Sequence, residues 1–319
     1  MRDRVADCMS RHLSPNQQLA VGFSGGRDSV ALLHIAHGLQ STLGFQLTAW
    51  HVNHRLSPQA DEWQHFCGTF CDRLGVPLNV MVVDVPRGTA EGLEAAARAR
   101  RYAAFGGMAA DWLLLGQHRG DQAETMLFNL LRGAGVLGAS GMPAMRELGR
   151  GMKLLRPMLR AERKEIDAYL QRNALPWVDD ESNANSSFSR NFLRHEVIPL
   201  LQSRFPAAVS TLAGAANRFA EAKTLLDDLA QLDLGGQSPH FPLPVETLTK
   251  LTEPRGRNLL RFLLLRHGAR ISSEARLTEA LRQLREAGPD KHPAVQFGAR
   301  ALCRRQGMVY LEPAESTIP

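Results

Sequence analysis

The 319-residue chain has little cysteine. Its four, Cys8, Cys67, Cys71 and Cys303, are scattered and too few for a disulfide framework. None forms a CxxC pair, which argues against a sulfur carrier or an iron–sulfur cluster reached through such pairs. No run approaches the roughly 18 apolar residues needed to cross a bilayer. The segment 1–18 is polar and charged, without an apolar stretch of signal-peptide length. These absences lead us to expect a cytoplasmic protein with no membrane association. Aromatic residues make up only 6%. Those near the C-terminus (Phe241, Phe262, Phe297, Tyr310) read as core rather than as a base-stacking surface. Internal repeats and low-complexity tracts are also missing.

Length alone predicts about two domains. The net charge of +6 is unevenly spread. Residues 250–310 hold thirteen Lys/Arg against five Asp/Glu, a net of +8, so the rest of the chain is slightly acidic. A basic segment of this kind predicts a surface that attracts polyphosphate, nucleic acid above all.

Along the first half, apolar runs alternate with amphipathic stretches. Strands are expected at 19–23, 47–52, 78–85, 112–116 and 152–155, and helices at 29–40, 60–74, 91–109, 121–132 and 162–173. This alternation predicts an α/β fold, a doubly wound and mostly parallel five-stranded sheet with helices on both faces. Residues 190–234 read as nearly continuous helix broken near Pro206. A linker follows at 234–239, then helices at 245–267 and 274–287 and short strands at 295–297, 299–304 and 308–311, a small α+β domain. We divide the chain into 1–203, a helical connector 204–238, and 239–319. Cys67 and Cys71 fall in the apolar stripe of the 60–74 helix and read as core.

The most informative stretch is Ser24-Gly25-Gly26-Arg27-Asp28-Ser29, between an apolar strand and an apolar-periodic helix. Glycines let the backbone bend and approach a ligand closely. The free N–H groups and dipole of the helix start favour an anion. A Walker A loop would carry a lysine here and a dinucleotide fingerprint would space its glycines. Three other polar clusters fall at strand ends: His51-Val52-Asn53-His54-Arg55, Gln117-His118-Arg119-Gly120-Asp121-Gln122-Ala123-Glu124, and Arg156-Pro157. Ligands of open parallel sheets bind outside the carboxyl ends of the strands, so four clusters on one rim predict a nucleotide pocket.

The glycine loop resembles the SGGxDS pyrophosphate loop of the N-type ATP pyrophosphatases. With the segments 51–57, 116–125, 132–135 and 156–159, and Trp177 through Asp180, Ser182 and Asn183 to Arg190, Asn191 and Arg194, the chain resembles the tRNA(Ile)-lysidine synthases. That resemblance implies a Rossmann-like PP-loop domain. It also implies ligation of free L-lysine to carbon 2 of the wobble cytidine of tRNA(Ile) with a CAU anticodon, through an adenylated tRNA, with ATP and Mg²⁺. Ser24, Gly25, Gly26, Arg27, Asp28 and Ser29 are then the ATP-binding residues. Asp28, Asp121, Glu124, Arg190 and Arg194 are the catalytic ones, with Asp28 and Asp121 also the metal ligands. His54, Arg101, His118 and Arg156 face the substrate, and Arg98 and Arg100 accompany Arg101. Asp121, Glu124 and His54 all remain open as acceptors of the lysine proton. Two departures stand out: Gln117 where relatives usually have histidine, and Gly120 where they usually have aspartate. Other readings are a thiolating PP-loop enzyme, which the missing CxxC disfavours, and a catalytically impaired tRNA-binding homologue. A homodimer is compatible with the sequence.

Overall fold

The computed structural model describes residues 1–84, 93–149, 151–179, 181, 189–288 and 293–314. The chain forms two compact units, Met1–Ala220 and Glu221–Pro319.

The first unit opens with α1 (Arg2–Ser10), β1 (Gln18–Gly22), α2 (Arg27–Leu43), β2 (Gln46–Asn53), α3 (Ala60–Leu74), β3 (Leu78–Val82) and α4 (Leu93–Phe105). Then come β4 (Trp112–Leu114), α5 (Arg119–Leu131), α6 (Val136–Ala139), β5 (Met145–Gly149), β6 (Met152–Leu155) and α7 (Arg163–Arg172). The strand order is β3-β2-β1-β4-β6-β5, parallel except for β5, which pairs antiparallel with β6. The sheet therefore has six strands, not the five expected. The extra one, Met145-Arg146-Glu147-Leu148-Gly149, is an exposed edge strand whose charged residues hide the apolar signature and blunt the edge against further pairing.

Strand β1 explains why both faces are covered. Leu19, Val21 and Phe23 enter one core with Val30, Leu33 and Ile35 of α2, and with Cys67 and Phe70 of α3. Ala20 enters the opposite core with Phe105, Leu113 and Leu154. Side chains alternate across a strand, so a strand buried on both faces reads as a continuous apolar run. Cys67 and Cys71 are both buried, as the stripe predicted, and burial pushes the Cys71 thiol up to about 12.

Because β1 lies between β2 and β4, the chain reverses its direction of winding there. The crevice beyond β1 and β4 is thus the switch point where α/β sheets bind ligands.

After α7, the short α8 (Ser189–Phe192) runs into a π-helical turn, Leu193–Val197, then α9 (Ile198–Arg204) and α10 (Ala208–Asp233). The division between units falls inside α10. The second unit continues with β7 (Leu243–Pro244), α11 (Val245–Thr249), α12 (Glu253–Arg266), α13 (Glu274–Glu286), β8 (Ala294–Phe297), β9 (Arg300–Arg305) and β10 (Met308–Pro313). Its sheet is antiparallel, in the order β7-β10-β9-β8. The helix expected over 245–267 is two helices, because Thr252 takes the N-cap backbone conformation of α12 and Pro254 sits in its first turn. Leu259, Leu263, Leu277, Leu281 and Leu284 pack with Phe297 and Leu302 into a separate core.

No helix among the described residues is long and apolar enough to cross a membrane.

Candidate functional site

The glycine loop is closed by its own serines. The Ser24 N–H donates to Ser29 Oγ at 3.2 Å, and Ser29 Oγ donates to the Gly26 carbonyl at 2.9 Å. The Gly26 N–H reaches Ser24 Oγ at 3.4 Å. Gly25 has φ +81°, a left-handed conformation that side chains resist. A Cβ there would also sit 2.9 Å from Val178 Cγ2 and 3.2 Å from Cys67 Sγ. From the other side, the Val178 N–H donates to the Gly25 carbonyl at 3.0 Å. Beneath the loop, buried His51 places Nδ1 2.9 Å from the Phe23 carbonyl. Arg27 turns away from the loop's glycines. Its guanidinium lies over the Trp177 ring, 5.2 Å from the centroid, and bonds Asp179 at 3.2 and 3.3 Å.

Asp28, in the first turn of α2, faces α5. The link is a cation that the sequence did not single out. Arg163 Nη1 donates to both Asp28 oxygens, at 3.0 and 3.2 Å, and lies 3.3 Å from His118 Nε2. Arg163 is the first residue of α7, where the helix dipole disfavours a positive charge. A basic residue at a helix start was the available signal, and the Asp28 carboxylate offsets that cost.

His118 precedes α5 and caps it. The Gly120 N–H donates to His118 Nδ1 at 2.9 Å, while the His118 N–H donates to Asp121 Oδ2 at 2.9 Å. Nδ1 is then the acceptor, and Nε2 faces Asp28 Oδ1 at 3.9 Å and Asp121 Oδ2 at 3.7 Å.

Arg194 completes the group from the π-helical turn. Its Nε and Nη2 hold the two oxygens of Glu124, and Nη2 also reaches Asp121 Oδ1 at 2.8 Å. π-turns are frequent where a helix carries a functional side chain. Burial pushes the Glu124 carboxyl above its ordinary value, against the pull of Arg194. Burial does the same to Asp28, against the pull of His118 and Arg163. Burial works against the charge on Arg194 too, but its bonds to Glu124 outweigh that and hold the guanidinium protonated. Arg190, on α8, packs against a later turn of α5, with Nη2 3.4 Å from Thr125 Oγ1 and the guanidinium over Phe128.

The structure thus joins Asp28, His118, Asp121, Glu124 and Arg194 through one network. His54 and Arg101 form a pair of their own, Arg101 Nε donating to His54 Nε2 at 3.3 Å. Burial and the Arg101 charge lower His54 to about 4. Arg156 is buried and fastens the loop beside His118, donating to Gln117 Oε1 at 3.1 Å, the Pro143 carbonyl at 2.7 Å and Tyr102 Oη at 3.3 Å. Asp180, Ser182, Asn183 and the Arg98 side chain lie outside the described residues.

Among the described residues, no three His, Cys, Asp or Glu side chains are grouped to hold a metal by themselves. Mg²⁺ at phosphates needs only one or two carboxylates, the nucleotide supplying the rest. The hard oxygens of Asp28 and Asp121, on either side of His118 Nε2, fit that kind of site.

In the second unit, much of the positive charge is already partnered. Arg282 pairs with Glu279 and Glu286, Arg305 with Glu312, Arg261 with Glu274, and Arg257 with Glu253. Arg285 is spent on main-chain carbonyls, those of Leu248, Leu251 and Thr252. Arg266 and Arg300 remain exposed without a side-chain partner among the described residues.

Two protein families match the chain. The PP-loop domain matches residues 2–201 and the TilS substrate binding domain residues 243–310. The chain is 46% identical over 305 residues to a tRNA(Ile)-lysidine synthase of Azoarcus sp. (strain BH72), covering 94% of this chain and 66% of that protein. It is 44% identical over 309 residues to the tRNA(Ile)-lysidine synthase of Aromatoleum aromaticum, covering 96% and 71%. For that of Nitrosomonas europaea the identity is 40%, covering 98% and 69%. The chain therefore spans about two thirds of the length of these relatives. Among solved structures, it is similar in fold to the U34-tRNA thiolase NcsA from Methanococcus maripaludis. The TM-score is 0.58 at 16% identity, over 69% of this chain and 77% of that one.

Proposed function

The chain belongs to the tRNA(Ile)-lysidine synthase family of ATP-using PP-loop ligases, and from that premise we propose that it joins L-lysine to carbon 2 of the wobble cytidine in tRNA(Ile) with a CAU anticodon. The observation that carries this reading is the network beside the PP loop, where Asp28, Asp121, Glu124 and Arg194 meet at the switch point of the sheet. Alignment with an iron–sulfur thiolase at 16% identity supports the fold alone, and the absence of CxxC pairs stands against thiolation.

The reaction has two transfers. The cytosine oxygen on carbon 2 attacks the α-phosphate of ATP, and pyrophosphate leaves. The ε-amine of lysine then attacks carbon 2, AMP leaves with that oxygen, and the amine loses its proton. In the first transfer, the N–H groups at Gly25 and Gly26 and the start of α2 receive the departing phosphates. Ser24 and Ser29 hold that loop in shape, and Arg27 ties it to the 177–179 segment. Asp28 and Asp121 are the residues to hold Mg²⁺, which supplies charge neutralisation at the phosphates. Arg190 and Arg194 stabilise charge at the α-phosphate, an electrostatic task.

In the second transfer, Asp121 and Glu124 present negative charge to the lysine ammonium. Glu124, pushed upward by burial, is better matched to accept a proton near neutral pH than His54, which is lowered to about 4. His54 and Arg101 face the base or its phosphate, and Arg156 serves that side from beneath through Gln117 and Tyr102. We assign catalysis to 1–203 and tRNA engagement to 239–319, with 204–238 as connector.

The test is incubation with ATP, Mg²⁺, labelled lysine and the CAU-anticodon tRNA. Lysine incorporation with matching pyrophosphate release is expected, and none from Asp28→Asn. Absence of incorporation at saturating substrates overturns the reading.

A further inference from the structure

Position 120 decides what stands between Asp28 and Asp121. A Cβ built on Gly120 would lie 2.6 Å from His118 Cε1 and 3.0 Å from His118 Nδ1. Both are far inside contact distance. The atoms struck belong to a ring that is only 5% exposed as a residue, accepts the Gly120 N–H at Nδ1 and has Arg163 Nη1 packed 3.3 Å from Nε2. The ring cannot keep its place beside any residue other than glycine. Gly120 has no positive φ among its properties, so backbone conformation does not call for glycine here. The ring does.

We propose that Gly120 is a positioning residue that acts through His118, giving the imidazole room to lie on the first turn of α5 so that Nε2 stands between the Asp28 and Asp121 carboxylates. The Gly120 N–H donates to Nδ1, which leaves the imidazole proton on Nε2. Nε2 lies 3.9 Å from Asp28 Oδ1 and 3.7 Å from Asp121 Oδ2, with Arg163 Nη1 at 3.3 Å. It adds partial positive charge between two carboxylates that are each held on another side by a guanidinium, Asp28 by Arg163 and Asp121 by Arg194. An aspartate at 120, expected from the resemblance, would put a third carboxylate into this space and move the ring out of it. In this chain the ring takes that place. The catalytic consequence rests on the functional reading above, whereas the geometry does not.

Three variants separate the positioning role from simple helix capping. Asparagine is a good N-cap, so His118→Asn keeps the cap and removes Nε2. Its melting temperature is expected near that of the wild type, with kcat for lysidine formation lowered about tenfold or more and KM for ATP changed less, as for a displaced catalytic group. Gly120→Ala is expected to lower kcat similarly by pushing the ring aside. In the His118→Asn background, adding Gly120→Ala is expected to be nearly silent, because no ring remains to strike. A direct readout needs no turnover. Heteronuclear NMR of the His118 ring should show an unprotonated, hydrogen-bonded Nδ1 in the wild type and the loss of that signal in Gly120→Ala. Wild-type kcat in either single variant overturns the proposal. Equal cost of Gly120→Ala in both backgrounds, or a wild-type ring signal in Gly120→Ala, does the same. Failure of the wild type to incorporate lysine, with the ring signal behaving as stated, upholds the geometry and overturns the functional reading instead.

Discussion

Arg194 grips Glu124 through two arms of its guanidinium, Nε to Oε1 at 2.7 Å and Nη2 to Oε2 at 2.8 Å. The glutamate side chain is 5% exposed and the arginine 38%. Removing the arginine leaves a buried carboxylate without its counter-charge. Arg194→Ala is expected to cost about 1–3 kcal/mol, less than a fully buried pair because the arginine is partly solvated. Arg194→Lys keeps the charge and loses the fork, so it should fall between the two. Urea denaturation of the three proteins checks the order.

Asp28 has the opposite relation to stability. Burial raises its folded value above the ordinary carboxylate value. The folded protein therefore binds that proton more readily than the unfolded chain, and the ionised group opposes folding at neutral pH. As pH falls through the raised value toward the ordinary one, near 3.8, the penalty disappears. Asp28→Asn is expected to stabilise the fold at pH 7, with the gain shrinking on acidification to about pH 4. Melting curves across that range test the sign. A loss of stability at pH 7 would contradict it, while catalysis by this variant should be abolished.

His54 titrates near 4 in the folded protein, against 6.5 for a free imidazole, first through burial and then through Arg101. The neutral ring favours folding above 6.5, and this contribution is lost as pH falls from 6.5 to about 4. Arg101→Gln removes the second cause only. The His54 midpoint, followed by NMR, is expected to move upward in that variant and to stay below 6.5.

The second unit separates structural arginines from exposed ones. Arg285→Met removes the guanidinium that bridges the Leu248, Leu251 and Thr252 carbonyls, of which Leu248 and Thr252 keep a backbone donor, and should destabilise the protein by about 1–3 kcal/mol. Arg266→Ala with Arg300→Ala should leave melting unchanged. It should instead lower the slope of log tRNA affinity against log salt by roughly one unit for each phosphate no longer neutralised. Filter binding at several salt concentrations distinguishes the two groups.

The sheet was legible because β1 and β4 are buried on both faces and leave apolar runs in the sequence, and β6 is buried except at Lys153. Strand β5 was not, because an exposed edge strand such as 145–149 has no face that must be apolar. In the site, Asp28, His118, Asp121 and Glu124 were legible from their place just past strand ends. Arg163 was not, since its partner Asp28 lies 135 residues away and only folding brings the start of α7 to the start of α2. The basic excess at 250–310 was legible as charge but not as its use, because carbonyl-capping arginines and exposed ones look alike in a sequence.

Nucleoside mass spectrometry of the CAU-anticodon tRNA(Ile) after reaction with ATP, Mg²⁺ and lysine reads the chemical product directly. The predicted result is a wobble cytidine heavier by one lysine less one water, formed only when ATP and lysine are both present. An unchanged cytidine, or one carrying sulfur, would overturn the assignment of lysidine formation to this protein.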